Sequence, residues 1–280
     1  MKIGIIGNGF VGNSIAFGFS PTHEIKIYDK DPKRNLNSLK EVLECDYIFV
    51  AVPTPMQIDG SISLHLVEKV LQEISDNNKK LNNIIILKST MIPGSTNNFI
   101  KQFPKLNIVF NPEFLTERTA KLDFLTQARI ILGGHKRLTK RVTKLFKERF
   151  KHTYIIETNA ITAEFIKYMN NIFFASKVSI MNELKILCDA VGADWKQSLG
   201  GFAADQRIGD SHLNVPGPDG KLGFGGSCFP KDINAIISMA RDLGVDIPTI
   251  KGAWKTNLNV RPERDWEKLE GRAIVINLKI

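Results

Sequence analysis

The chain has 280 residues, room for about two domains with cores of their own at ~150 residues each. Its 43% hydrophobic and 24% charged residues are ordinary for a globular protein, and no run approaches the ~18 apolar residues that a membrane span needs. The excess of 38 Lys and Arg over 29 Asp and Glu, a net +9, attracts anions. The basic residues are dispersed and lack the aromatic interleaving of a nucleic-acid module. The charge therefore points to phosphorylated small molecules or a dinucleotide, with no nucleic-acid and no membrane partner expected.

In chain order, Ile3 to Ile6 is a short apolar run ending at Gly7, followed by a helical stretch from Val11 to about Phe19. Glu24 to Tyr28 reads as a second strand and Tyr47 to Val52 as a third, closed by Pro53-Thr54-Pro55. A helix near 64–75 leads to the apolar run Ile84 to Leu87, and 107–110, Arg129 to Leu132 and Thr153 to Ile156 are further strand candidates. Strands separated by helices of about ten residues indicate βαβ units and a parallel sheet covered on both faces. The basic run at 135–151 carries Leu138, Val142, Leu145 and Phe146 at helical spacing, which predicts a solvated amphipathic helix.

The second half has a different texture. From Ile161 to about Cys188 there is no Gly or Pro, and Phe165, Ile166, Met169, Ile172 and Phe173 recur at helical intervals. This predicts one long helix, a spine between domains or subunits. VPGPDGKLGFGG at 215–226 is a loop by composition, a helix follows from about Pro230 to Leu243 with Gly244 as its stop, and the final GRAIVINLKI has strand character. The expected fold class is α/β: an N-terminal doubly wound parallel sheet of the Rossmann type, then an α-helical domain with a long central helix. Gly and Asn interrupt the apolar N-terminus, so no signal peptide is expected. Cys45, Cys188 and Cys228 are too few and too scattered for a disulfide framework or a zinc site, which fits a cytoplasmic protein without a metal.

Gly7, Gly9 and Gly12 form a G-x-G-x-x-G pattern between a predicted strand and a predicted helix. That context serves a dinucleotide: a tight turn, close backbone approach to a pyrophosphate, and helix-to-strand contact. Asp29, at the end of the next strand, suits the ribose hydroxyls and repels a 2′-phosphate, favouring NAD over NADP. Thr54, Thr90, Glu113 and Glu117 fall at three further strand ends, where open α/β sheets bind ligands, although each by itself reads as a turn or cap residue. Glu164, Lys167 and Asn171 fall within about 60° on the long helix; spacing alone favours an i,i+3 ion pair on a wet face. Cys228 follows two glycines and precedes Pro230, so its thiol is expected at a helix N-terminus beside Lys231, both of which raise the thiolate fraction. Asp232 can share that face. Cys45 and Cys188 read as inert buried thiols.

The segments GNGFVG, AVPTP, KSTMIPG, NPEFL, AEFIKYMNN, DQRIG and GFGGSCFPKD, in this order, resemble the UDP-glucose/GDP-mannose dehydrogenase family over residues 1 to about 275. The resemblance implies oxidation of a nucleotide sugar, UDP-glucose, at C6 with two NAD per turnover. It implies that Cys228 captures the aldehyde as a thiohemiacetal, which becomes a thioester. Lys167 and Asn171 would stabilise oxyanions, Asp232 and Thr90 would position water or accept a proton, and Glu113 would assist hydrolysis. Gly7, Gly9, Phe10, Val11, Gly12, Asp29, Arg34, Thr54, Thr90, Glu117 and Lys231 match cofactor-contacting positions. Glu113, Lys167, Asn171, Phe224 and Gly225 match the sugar-nucleotide site. Arg207 matches an arginine that reaches the sugar of a neighbouring subunit, which implies a homodimer on the long helix. The implied domains are an NAD-binding domain at 1–157, a helical central and dimerisation domain carrying the Cys at 158–265, and at 266–280 the stub of a third, nucleotide-gripping domain. The same chemistry on GDP-mannose or a UDP-N-acetylhexosamine, or a non-catalytic NAD-binding or subunit-interaction module, are the alternatives. A purely structural module has no use for Lys167, Asn171, Cys228 and Asp232 together.

Overall fold

Seven strands alternate with helices through the first 158 residues of the computed structural model, which describes residues 1–276. They are β1 (Lys2–Ile6), β2 (Glu24–Tyr28), β3 (Tyr47–Val50), β4 (Ile84–Leu87), β5 (Ile108–Phe110), β6 (Arg129–Gly134) and β7 (Tyr154–Thr158). Between them lie α1 (Phe10–Phe19), α2 (Leu39–Leu43), α3 (His65–Asn77), α4 (Ser95–Gln102), α5 (Ala120–Leu125) and α6 (Lys136–Arg149). Chain contacts separate two units: residues 1–54 with 64–167, and residues 55–63 with the chain from Tyr168 onward.

The first unit is one sheet in the order β2-β1-β3-β4-β5-β6-β7. Alternate residues of each central strand feed two apolar layers. Ile6, Ile48, Val50, Ile85 and Leu87 enter one, and Ile3, Ile5, Phe49, Ile84 and Ile86 the other. With helices on both faces, every side chain of β3 and β4 is buried, which is why these strands read as unbroken apolar runs rather than alternating ones. The basic helix α6 buries Leu138, Val142, Leu145 and Phe146 and turns its charges outward, as its periodicity predicts.

The sheet departs from pure parallel pairing at one place: β5 and β6 are antiparallel. The connection between them, residues 111–128, carries only the six-residue α5 in place of the longer crossover helix that usually joins parallel neighbours. The chain instead re-enters the sheet at the rim where β5 ends. The strand order reverses between β1 and β3, and such a switch point opens a crevice beyond the carboxyl ends of the strands. The register aligns that rim, with Ile6 opposite Tyr28 and Val50, and Leu87 opposite Val50 and Phe110.

The long helix α7 runs from Ala160 to Ala190, as the uninterrupted periodicity predicts. The second unit adds α8 (Trp195–Ala203), α9 (Phe229–Asp242) and α10 (Pro248–Val260). Neither α8 nor α10 is marked by the periodicity of the sequence. Gly200 and Gly201 disguise the first, and the buried face of the second holds the polar Asn257 beside Ala253. The strand expected over GRAIVINLKI is not formed within the described residues. Residues 271–273 are turn, Ile274 makes an isolated bridge to Met56, and 277–280 lie outside the described residues. An isolated pairing of this kind lacks the neighbouring ladder that makes a strand.

Candidate active site

The turn after β1 is shaped for close approach. Gly7 has φ +97°, and a Cβ there would lie 2.5 Å from the Ala51 carbonyl oxygen; a Cβ on Gly12 would lie 1.9 Å from that of Gly7. Nothing stands within 4 Å of the Cβ position of Gly9, the N-cap of α1, and the first turn of α1, beginning with Phe10 and Val11, holds no acidic residue. The positive end of the helix is thus left open to an anion. Asp29, at the carboxyl end of β2, accepts from the Asn8 N–H at 2.6 Å and from the Asp31 N–H at 2.8 Å. Asn8 Nδ2 donates to the Arg34 carbonyl at 2.8 Å, while its buried Oδ1 has no partner, an orphaned acceptor of the kind a ligand hydroxyl satisfies. The Arg34 side chain is exposed, near Asp31. A glycine cradle, an unopposed helix end and a fixed carboxylate fit a dinucleotide with a free ribose.

Along the same rim, the buried Thr54 donates to the Thr90 carbonyl at 2.8 Å and so ties the ends of β3 and β4 together. Glu113, 7% exposed, accepts from Lys167 Nζ at 3.0 Å and from the Leu115 N–H at 2.7 Å. Burial pushes its pKa up, but Lys167, the Leu115 N–H and Lys88 outweigh this and hold it below the usual carboxylate range. Lys167 also lies over the Phe114 ring at 5.4 Å, a cation–π contact.

The wet-face pair expected between Glu164 and Lys167 is corrected by their burial at 0% and 3% exposure. Glu164 accepts from the N–H groups of Gly94 and Thr96 and from the Thr96 hydroxyl at 2.6–2.7 Å. It therefore caps α4 from another element, and burial raises its pKa. Capping from one side and the bond to Glu113 from the other fix the rotation of the first turns of α7.

In the second unit Asn171 Nδ2 donates to Asp232 Oδ2 at 2.6 Å, and Lys231 pairs with Asp232 Oδ1; all three are buried. Cys228 is the N-cap of α9, and its carbonyl accepts the first helical bond from the Asp232 N–H at 2.8 Å. Its half-buried Sγ lies 3.9 Å from the Ser227 hydroxyl. Pro230 occupies the first turn, as the sequence predicts. Cys45 and Cys188 are buried, and burial lifts the Cys45 thiol to about 11.

The loop leading to Cys228 rests on residues that sequence reasoning missed. Asn257 brackets Phe224, accepting from its N–H at 2.7 Å and donating to its carbonyl at 3.0 Å. Asn182 accepts from Gly223. Arg261, its side chain 3% exposed, bonds Asp265 at 2.6 Å, Asp219 at 2.7 Å and the Leu222 carbonyl at 3.1 Å. A Cβ on Gly225 would fall 2.5 Å from Asp265 and 2.6 Å from Arg261 Nη2, so glycine is what lets the loop close over this ion pair. The only signal for it in the sequence is the run of glycines itself. Of the other predicted site residues, Glu117 is exposed, and Arg207, its side chain 90% exposed, pairs with Asp205.

Both halves of the chain resemble known proteins. Residues 35–152 match the NAD binding domain, and residues 161–259 the central domain, of the UDP-glucose/GDP-mannose dehydrogenase family. The chain is 32% identical to UDP-glucose 6-dehydrogenase AglM of Haloferax volcanii over 97% of its own length and 73% of that protein's. It is 33% identical to the UDP-glucose 6-dehydrogenase of Rickettsia typhi, over 94% and 68%. A UDP-glucose dehydrogenase structure from Pyrobaculum islandicum superposes with a TM-score of 0.83 at 27% identity, covering 96% of this chain and 70% of that one. No helix among the described residues is long and apolar enough to cross a membrane. With its glycine cradle, buried Lys167–Glu113 pair and cysteine-capped helix, the chain belongs to the UDP-glucose/GDP-mannose dehydrogenase family of NAD-dependent oxidoreductases acting on nucleotide sugars.

Proposed function

We propose that the protein oxidises UDP-glucose to UDP-glucuronate through a covalent intermediate on Cys228. The observation that carries this reading is the placement of a cysteine at the N-cap of α9, with Asp232 hydrogen-bonded one turn on and itself gripped by Asn171 and Lys231. NAD, when bound, takes the hydride from C6 in each of the two oxidations. The glycine turn and α1 receive its pyrophosphate, and Asp29 its ribose.

After the first oxidation, the Cys228 sulfur adds to the C6 aldehyde carbon, the C=O π bond opens onto its oxygen, and that oxygen takes up the proton lost by the thiol. The resulting thiohemiacetal retains the hydride that the second oxidation removes, and with loss of the hydroxyl proton to a neighbouring base a thioester is left. Water then adds to the thioester carbonyl, a proton passes to a neighbouring base, the C–S bond breaks and the thiol is restored. Lys167 and Asn171 donate to the oxygen that carries negative charge in these steps, an interaction worth most where water is excluded. Asp232 and Thr90 position the water, Glu113 serves the hydrolysis, and Phe224 and Gly225 border the sugar. In a reaction of the purified protein with UDP-glucose and excess NAD, about two NADH form per sugar consumed. One NADH per sugar, with free aldehyde as the product, would overturn the covalent route. GDP-mannose and UDP-N-acetylhexosamines in the same assay decide the substrate.

We further propose that the protein is a homodimer through α7. Met169, Phe173, Ile180, Leu184 and Leu187 are 42–65% exposed and fall within about 60° around the helix, an apolar stripe that a partner helix covers. Light scattering is expected to give twice the 31.4 kDa chain mass, and Phe173→Glu with Leu184→Glu to halve it; a wild-type monomer at micromolar concentration refutes the dimer.

A further inference from the structure

Lys88 follows β4 on the ligand-binding rim and is 3% exposed. Its Nζ donates to Asn111 Oδ1 at 2.9 Å and to the Pro112 carbonyl at 3.3 Å, both neutral oxygens. Asn111 is itself held, donating through Nδ2 to the Ile131 carbonyl at 2.8 Å and through its N–H to that of Leu87 at 2.8 Å. The residue after Pro112 is Glu113. Lys88 and Glu113 also share the wall of a cavity of about 150 Å³, bordered further by Asp123, Gln127 and Arg129. The volume suits a few waters. A buried ammonium held only by neutral acceptors is costly, and fastening one turn does not require a charge.

We propose that Lys88 is a positioning residue of the active site: it anchors the Asn111–Pro112 turn that presents Glu113, and it supplies a second positive charge, beside Lys167, to the Glu113 carboxylate. The proposal rests on the reading of Glu113 as the group that serves hydrolysis. The charged groups around Lys88 are Glu113 on its own turn, Lys167 on α7, Asp123 on α5 and Arg129 on β6. Burial drives the Lys88 pKa down to about 7, against the pull of Glu113, with Lys167 adding to the fall. Its charge is then lost just above neutrality, and with it part of what keeps Glu113 ionised.

The variants are Lys88→Met and Lys88→Arg. In Lys88→Met, kcat for NADH formation from UDP-glucose is expected to fall about tenfold to a hundredfold, with KM for NAD within about twofold. Quenched-flow mass spectrometry should show the covalent adduct accumulating, because hydrolysis is the step slowed. Lys88→Arg, charged at every working pH, should recover most of kcat and move the alkaline limb of its pH profile upward. Unchanged pH profiles, or losses in both variants that track thermal stability alone, overturn the proposal. A measurement without turnover separates it from the reading of the reaction. In protein labelled with ¹³C at lysine Cε, one resonance should titrate near 7, vanish in Lys88→Arg and move to lower pH in Glu113→Gln. If every lysine titrates above about 9, Lys88 does not carry this role, whatever the protein oxidises.

Discussion

Replacing Cys228 with serine is expected to lower steady-state NADH formation from UDP-glucose at least about a thousandfold, because the proposed nucleophile and the groups around it act as a unit. The hydroxyl is the same shape but a far poorer nucleophile at neutral pH, so the aldehyde is no longer held in the form from which the second hydride leaves. The loss should fall on turnover alone. The glycine turn, Asp29 and the rim threonines are untouched, and NAD affinity by calorimetry should stay within about twofold. Denaturation in urea should also be nearly unchanged, since Cys228 is only half-buried and serine differs from it by a single atom. Intact-mass analysis of quenched wild-type turnover should show the sugar nucleotide bound to the chain, and the serine variant should not. A serine variant that still gives about two NADH per sugar at more than about one per cent of the wild-type rate would remove Cys228 from the mechanism.

Lys167→Met carries the second large effect, and it registers in both stability and rate. Glu113 is buried, and its principal partner is the Lys167 ammonium at 3.0 Å. Without it, the carboxylate keeps the Leu115 N–H and the more distant charge of Lys88, while the cost of burial remains. Truncating one partner of a buried pair costs about 3–5 kcal/mol. The loss of a donor to the reacting oxyanion costs about 10²–10³ in kcat. Equilibrium unfolding and initial rates measure the two separately. The Glu113 pKa should rise, so acidification should recover part of the lost stability as that group is neutralised. The sign follows from linkage: the wild-type carboxylate, held below its unfolded value, stabilises the fold above the unfolded pKa and loses that contribution as pH falls through the folded one. A variant with more than about a tenth of wild-type kcat would show that Lys167 serves only to hold the fold.

The loop before Cys228 ties chemistry to architecture. The backbone of Phe224 is held by Asn257, that of Leu222 by Arg261 and that of Gly226 by Asp265, three residues from the end of α10 and the turn after it. No catalytic pattern marks these three residues, yet their side chains set the path of the backbone into α9. The close approach of Gly225 to the Arg261–Asp265 pair means that a methyl group at 225 displaces an ion pair rather than a flexible side chain.

What the sequence determined by itself was local. Strands β1 to β4, the amphipathic α6, the uninterrupted α7 and the Pro230 start of α9 follow from period, caps and breakers, whose physics acts over a few residues. The glycine turn and Asp29 were legible for the same reason, since a positive φ and a strand end are local requirements. Pairing was not. Spacing set Lys167 against Glu164 on one helix, and only packing turned Glu164 to the α4 N-terminus and Lys167 to Glu113, a residue 54 positions away. The reversed β6, the helices α8 and α10, and the buried cation Lys88 belong to the same class. In each, the deciding partner is distant in the chain, and whether a charge is solvated or buried is settled only when those partners meet.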